Sequence, residues 1–416
     1  MPFTALGLIP ELVRAAQQQQ FHTPTPIQAA AIPAILQGRD VLLRARTGSG
    51  KTAAFGLPLL QRVHAARDDG PRRLRGLVLA PTRELAMQIG TTLTALAAPL
   101  PRPLKIMTVY GGVSINPQMM ALRGGADIVV ATPGRLLDLL DRNALRADEV
   151  ATVVLDEADR LLDLGFADEL ADILAQLPAT RQTLLCSATF PTQVDKLAAS
   201  LLHEPCRVAP DDAPETVAAI AQRAISVDTA RRAALLVHLL REAGWAQALV
   251  FVATQHTTEH LAAKLAQAGI AAAAFHGDLG QGRRIQVLSD FKAGRLPVVI
   301  CTDVAARGID IAQLPAVVNY DLPRSAADYV HRIGRTGRAG ECGVAVSFVA
   351  PGHEAHWQLI EKRQGKRVPR DIVPGFEPRE TAPTEPGPGG IKGRRKSKKD
   401  KLREAAAAAA GENPKS

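Results

Sequence analysis

Nowhere does this sequence stay apolar for the roughly 18 residues that a membrane-spanning helix needs. Its opening, MPFTALGLIPELVRAAQQQQ, puts a glutamate and a run of glutamines where a secretory leader needs an apolar core. An intracellular, cytoplasmic protein with no membrane partner is therefore expected. Cysteine is scarce: Cys186, Cys206, Cys301 and Cys342 lie far apart and form no CxxC pair. That sets aside zinc sites and disulfide frameworks and leaves reduced, mostly buried thiols. Aromatic residues make up only 4% of a chain that is 46% hydrophobic, the composition of a soluble protein rich in alanine and leucine. Charge is scarce too, outside one place. The run KGRRKSKKDKLR at 392–403 carries +7 of the net +9, so the rest of the chain is close to neutral and the run is a separate, polyanion-seeking feature.

A chain of 416 residues exceeds one compact core and implies at least two domains. Short apolar runs recur along it, each closed by small or polar residues: GLVLAPTRE, DIVVATPGR, TVVLDEADR and TLLCSATFP, then ALVFVATQH, VVICTDVAARG, AVVNYDLPR and GVAVSFVAP. Runs of this length, rich in Val, Leu and Ile, suit strands buried on both faces, as in parallel sheets. Helical stretches such as TTEHLAAKLAQAG lie between them, with Gly269 as the expected C-cap. The alternation predicts two α/β domains with mainly parallel sheets. The halves also rhyme: VLAPTRELAMQ with VFVATQHTTEHL, VVATPGR with VICTDVAARG, and VVLDEADR with VVNYDLPR.

The acidic, proline-bearing APDDAPET marks the break between them. The expected organisation is a nucleotide-binding domain over 1–208, a linker over 209–218, a second domain over 219–372, and a Pro/Gly-rich, then basic, disordered tail over 373–416.

Only the first half carries nucleotide chemistry. VLLRARTGSGKT reads as a strand, a phosphate loop and a helix start, with Ala45 at the first position of the G-x-x-x-x-G-K-[ST] pattern. Backbone N–H groups along Ala45, Arg46, Thr47, Gly48, Ser49 and Gly50 would approach phosphate oxygens at the positive end of the helix. Lys51 would reach the β and γ phosphates, and Thr52 would offer a hydroxyl to Mg²⁺. In TVVLDEADR, Asp156 leaves an apolar strand at its carboxyl end, where α/β sheets present ligands. It would hold Mg²⁺ through water, and Glu157 would orient or deprotonate the attacking water. Asp159 is expected to link these acids to the SAT segment, Ser187, Ala188 and Thr189.

Together, ARTGSGKT, PTRELAMQ (81–88), TPGR (132–135), Asp156-Glu157-Ala158-Asp159, SAT (187–189) and HRIGRTGR resemble the motifs of a DEAD-box ATP-dependent RNA helicase, in order and spacing, from Phe3 to about residue 350. The short amino-terminal segment and basic tail are most similar to the bacterial RhlE group. The resemblance implies two tandem RecA-like domains facing each other across a cleft, with ATP as nucleotide. FHTPTPIQ resembles the family's adenine-reading motif: Phe21 would pack against the base, Gln28 would make two hydrogen bonds to its edge, and Phe3 would pack nearby. Arg335 and Arg338 would serve as arginine fingers on the γ-phosphate, His331 and Arg332 would tie that segment to neighbouring motifs, and Asp310 would contact the ribose or hold an arginine.

For RNA, the resemblance implies Thr82, Arg83, Gly111, Gly112, Thr132, Pro133, Gly134 and Arg135 in the first domain and Gln281, Arg284 and Thr302 in the second. Such groups hold sugar and phosphate without reading sequence. Ser187, Ala188 and Thr189 would couple nucleotide state to RNA. The implied activity is RNA-stimulated ATP hydrolysis that opens short duplexes or remodels RNA–protein complexes by closing the two domains. The implied protein is a monomer that could serve the ribosome or the RNA-decay machinery. Arg46 stands where the family usually has glutamine, Gln20 where it has glycine, and Cys301 where it has alanine; none removes a catalytic group. Two other readings compete: a DNA-directed motor of the wider superfamily, and a non-catalytic RNA clamp. The DEAD tetrad argues against the first, and a pure clamp has no need of Lys51, Asp156, Glu157, Arg335 and Arg338.

Overall fold

The computed structural model describes residues 2–45, 49–66, 70–209, 220–306, 314–337 and 343–380. They form two compact units, each built on one seven-stranded sheet. The expected linker lies outside the described residues except at position 209.

The first sheet holds β1 (Val41–Arg44), β2 (Gly76–Leu79), β3 (Ile106–Val109), β4 (Ile128–Ala131), β5 (Thr152–Leu155), β6 (Gln182–Ser187) and β7 (Cys206–Val208), in the order β3-β4-β2-β5-β6-β1-β7. All its pairings are parallel. Each strand therefore needs a crossover, and helices such as Lys51–Ala66 and Arg83–Ala97 supply it. Covering both faces explains why the strand runs are continuously apolar. Along β2, Val78 enters one core while Leu77 and Leu79 enter the other; along β1, Val41 and Leu43 oppose Leu42. Each such Val or Leu stabilises the fold by about 1.5–3 kcal/mol on full burial.

The second sheet holds β8 (Ile220–Ser226), β9 (Ala248–Val252), β10 (Ala272–Phe275), β11 (Val298–Thr302), β12 (Ala316–Asn319), β13 (Gly343–Val349) and β14 (Arg370–Asp371), in the order β10-β11-β9-β12-β13-β8-β14. This is the first order repeated. The rhyming segments fall on equivalent strands, β2 with β9, β4 with β11 and β5 with β12. The capping device repeats as well: Thr82 Oγ1 accepts from the Leu85 N–H at 3.3 Å, and Thr254 Oγ1 from the Thr257 N–H at 3.1 Å.

The second unit runs further than the sequence suggests. Val373 is buried, and Phe376 packs against the core with its ring 5.3 Å from His238 and beneath the Arg231 guanidinium. The backbone N–H groups of Arg379 and Glu380 donate to the Asp228 carboxylate at 2.9–3.0 Å. The tail expected from 373 thus begins with an anchored stretch. Two apolar residues suffice to hold a Pro/Gly-rich segment whose average composition predicts no core. Residues 381–416, with the basic run, lie outside the described residues. Among the described residues, no helix is long and apolar enough to cross a membrane.

Candidate functional site

The sheet order brings the nucleotide motifs together. β6 runs between β5 and β1, so the segment leaving β6 emerges between the loop after β1 and the acids after β5. The Ala45 N–H donates to the Ser187 carbonyl at 3.0 Å, tying the base of the phosphate loop to the SAT segment.

Lys51 opens its helix with its side chain buried. Its Nζ has no hydrogen-bond partner among the described residues and lies 4.0 Å from Asp156 Oδ1. Burial pulls the amine's pKa down, but the carboxylates of Asp156 and Glu157 outweigh it and leave the pKa above its ordinary value. Burial raises Asp156 from 3.8 to about 6, against the pull of Lys51. Its Oδ1 accepts from the Glu157 N–H at 2.9 Å. Glu157 itself is left-handed, φ 50° and ψ 53°, a conformation that costs a non-glycine residue roughly 1–2 kcal/mol. Strain of this kind clusters at active sites and ligand clamps. The amine, with no hydrogen-bond partner among the described residues, suits an incoming anion, and the Asp156 carboxylate and the Thr52 hydroxyl are hard oxygens of the kind that would suit Mg²⁺.

Gly50, at φ +89°, closes the loop; a Cβ there would meet Gln28 Nε2 at 2.4 Å. That approach has a purpose. Gln28 Nε2 donates to the Gly50 carbonyl at 3.1 Å, Gln28 Oε1 accepts from the Thr25 N–H at 2.9 Å, and Thr25 Oγ1 donates to the Ser49 carbonyl at 3.0 Å. The adenine motif is thereby clasped to the phosphate loop. An amide carries two donors and two acceptor sites, so Gln28 keeps one of each for a base edge. Phe3 is a core residue, while Phe21 is half-buried. Arg46, Thr47 and Gly48 lie outside the described residues.

Asp159 is bonded to the SAT segment. Its Oδ2 accepts from Thr189 Oγ1 at 2.6 Å and from the Thr189 N–H at 3.0 Å, while Ser187 Oγ donates to the Thr189 carbonyl at 2.6 Å. Ala188 lies half-buried between them.

The segments assigned to RNA sit at the carboxyl ends of β2, β4 and β3, which are neighbours. Thr132 Oγ1 accepts from the Gly111 N–H at 3.3 Å, and Arg135 Nη2 donates to the Val113 carbonyl at 2.7 Å. Gly112, at φ +78°, makes room for the Arg83 guanidinium, whose Nη2 lies 2.6 Å from where a Cβ would stand. Pro133 and Gly134 start the helix Pro133–Asp141. In the second unit, Thr302 ends β11, and Gln281 and Arg284 lie on the helix Gln281–Lys292 that follows β10. Arg284 is buried: it donates to the His276 carbonyl at 2.9 Å and lies over the Phe275 ring. It acts on the loop it pins, and Arg135 does likewise.

Arg332 is the hub of the second unit. It forks onto Asp303 at 2.6 and 2.7 Å, donates to Asn319 Oδ1 at 3.0 Å and to the Asp321 carbonyl at 2.6 Å, and lies over the Phe251 ring. His331 precedes it on the helix Ala326–Ile333, and Arg335 lies buried in the turn beyond, its carbonyl accepting from the Leu314 N–H. Arg338 and Asp310 lie outside the described residues. Sequence reasoning missed Asp303, Asn319, Asp321 and Thr25. Their only signal was position: Asp303 and Asp321 just beyond a strand, Asn319 at the last residue of one, and Thr25 directly before a helix.

Residues 25–197 match the family model for the DEAD/DEAH box helicase, and residues 231–340 that for the helicase conserved C-terminal domain. The DEAD-box ATP-dependent RNA helicase CshA of Bacillus cereus is 41% identical over 375 residues, spanning 90% of this chain and 70% of that protein. The Bacillus subtilis protein of the same name is 39% identical over 90% of this chain and 75% of its own length. Among solved structures, S. cerevisiae Dbp5 bound to RNA and ADP BeF3 is similar with a TM-score of 0.78 and 32% identity, covering 89% of this chain and 95% of that one. Mss116p bound to ssRNA and AMP-PNP gives 0.80 and 29%, covering 91% and 80%.

Proposed function

This chain belongs to the DEAD-box helicase family, and from that premise we propose that it hydrolyses ATP under the control of bound RNA, opening short duplexes or remodelling RNA–protein complexes. The observation that carries the reading is the buried Lys51 amine, without a hydrogen-bond partner among the described residues, 4.0 Å from the buried Asp156 carboxylate.

In this reading Lys51 and the loop's N–H groups hold the β and γ phosphates. Asp156 and Thr52 hold Mg²⁺, which neutralises phosphate charge when bound. Glu157 holds the attacking water and takes its proton. Arg335 and Arg338 meet the charge that spreads over the γ-phosphate oxygens with forked hydrogen bonds, an effect worth about 10³–10⁵ in rate. Asp310 steadies the ribose or one of these arginines. Because the fingers belong to the second unit, hydrolysis requires that ATP and RNA draw the units together, and each ligand then strengthens the other's binding. Asp159 and Ser187–Thr189 carry that coupling.

RNA is held by sugar and phosphate, through the loops after β2, β3, β4, β10 and β11, with 2′-hydroxyls distinguishing it from DNA. The run at 392–403 adds RNA affinity without sequence preference. The RhlE-like placement rests on the basic run at 392–403; relatives similar over 90% of the chain include proteins named CshA. A cytoplasmic monomer working on ribosomal or decaying RNA completes the proposal.

The test is displacement of a labelled strand from a short RNA duplex. ATP should drive it, and Lys51→Ala should abolish it while leaving single-stranded RNA affinity within about twofold. Displacement by the variant at the wild-type rate would refute the reading.

A further inference from the structure

The first unit has an open groove of about 860 Å³ at the amino-terminal ends of β2, β4 and β5. It lies one strand length, about 13 Å, from the loops that carry Asp156, Thr82 and Thr132. Two turns shape it. Gly124 and Gly125 are both left-handed, and a Cβ on Gly125 would meet the Arg72 carbonyl at 2.3 Å, so the segment before β2 lies directly against that turn. Asn143, at φ 54°, bends the chain on the facing side.

The floor is apolar, with Leu74 and Leu145 buried, Met119 half-buried and Met120 63% exposed. The rim is cationic, and part of it is already neutralised. Arg146 forks onto Asp148, Arg73 pairs with Glu149, and Arg72 lies 3.4 Å from the buried Asp127. Arg123 and Arg142 are exposed on the groove and make no ion pair among the described residues. Among the described residues, an exposed thioether thus shares the groove with two guanidinium groups that make no ion pair, at the opposite end of β2, β4 and β5 from Thr82, Thr132 and Asp156.

The geometry points to a docking site for an acidic peptide segment of a partner protein, with one or two apolar side chains on Met119 and Met120 and flanking Asp or Glu on Arg123 and Arg142. Methionine adapts to varied apolar side chains, which suits such an anchor, and a planar guanidinium forks naturally onto a carboxylate. Met119 and Met120 give the groove an apolar floor, which an apolar side chain can use and a sugar–phosphate chain cannot. That favours peptide over RNA. A partner held here leaves the carboxyl ends of the strands open. The inference goes beyond the helicase reading and does not depend on it.

The test uses the full chain and fluorescein-labelled peptides in which a Leu-Phe pair is flanked by glutamates, with lysine-flanked peptides as the charge-reversed control. Anisotropy should show binding of the glutamate peptide alone. Arg123→Glu combined with Arg142→Glu should weaken it at least about tenfold, and the milder pair Arg123→Gln and Arg142→Gln should weaken it in the same direction. Met120→Ala should weaken it severalfold. RNA affinity and ATP turnover should stay at wild-type levels in all of these, which also confirms folding. Absence of glutamate-peptide binding, or equal binding by the reversed variant, overturns the proposal. So does a fall in single-stranded RNA affinity in that variant, which would make the groove a phosphate surface.

Discussion

Replacing Thr189 by valine isolates the link between nucleotide and RNA. Thr189 Oγ1 donates to Asp159 Oδ2 at 2.6 Å, and the only other bond to that oxygen comes from the Thr189 backbone at 3.0 Å among the described residues. Asp159 is 5% exposed, so water cannot readily replace the lost hydroxyl. A hydrogen bond to a charged group is worth about 1.5–3 kcal/mol, the same size as the coupling free energy that commonly joins two ligand sites, about 1–3 kcal/mol. Thr189→Val should therefore remove most of the coupling, a change of about 10- to 100-fold. Valine preserves the shape, and Ser187 still holds the Thr189 carbonyl. The assay is RNA affinity by anisotropy with and without a non-hydrolysable ATP analogue, alongside strand displacement per ATP consumed. Each ligand alone should bind within about twofold of wild type, the mutual enhancement should collapse, and Thr189→Ser should restore it. Undiminished enhancement in the valine variant would refute the assignment of Asp159 and Thr189 to coupling.

Three further outcomes follow from the geometry. Gly50→Ala should lower ATP affinity at least about tenfold, because its Cβ would meet Gln28 Nε2 at 2.4 Å and φ is +89°; Gly134→Ala, with open space around it, should leave fluorescent-ATP titrations unchanged. Arg332→Met should destabilise the second unit by about 3–5 kcal/mol, since it strands Asp303 and breaks a buried network. Both tryptophans, Trp245 and Trp357, lie in that unit, so denaturant unfolding followed by tryptophan fluorescence reports it selectively. The folded state holds the Asp156 proton more tightly than the unfolded chain does, 3.8 rising to about 6. This group therefore costs stability above pH 6, on the order of 3 kcal/mol at 1.36 kcal/mol per pH unit, and the cost fades as pH falls towards 3.8. The unfolding free energy of nucleotide-free wild type relative to Asp156→Asn should accordingly rise as pH is lowered from about 7.5 to about 4; a flat difference would show that burial does not perturb the carboxyl.

The strands were readable because burial on both faces leaves one mark, a short run of Val, Leu and Ile, and β2, β4 and β5 all show it. The matching runs in the second half fall on the equivalent strands of the second sheet. The phosphate loop and the acids were readable for a different reason, since each is local in sequence. What sequence concealed was long-range pairing. Gln28 reaches Gly50 and Arg332 reaches Asp303 across 22 and 29 residues, and no local periodicity encodes such a bond. Arg284 shows the reverse limit. Its place in a motif suggests contact with RNA, yet burial against Phe275 and the His276 carbonyl gives its guanidinium a structural task. Val373 and Phe376 show how composition misleads, because two apolar side chains among prolines and glycines were enough to anchor the start of the tail.

Coupling of hydrolysis to RNA is tested most directly by steady-state ATP turnover of the full chain, measured alone, with single-stranded RNA and with DNA of the same sequence at one salt concentration. It predicts slow turnover alone, strong stimulation by RNA and little by DNA. Equal stimulation by DNA, or none by RNA in protein that binds ATP, would contradict it.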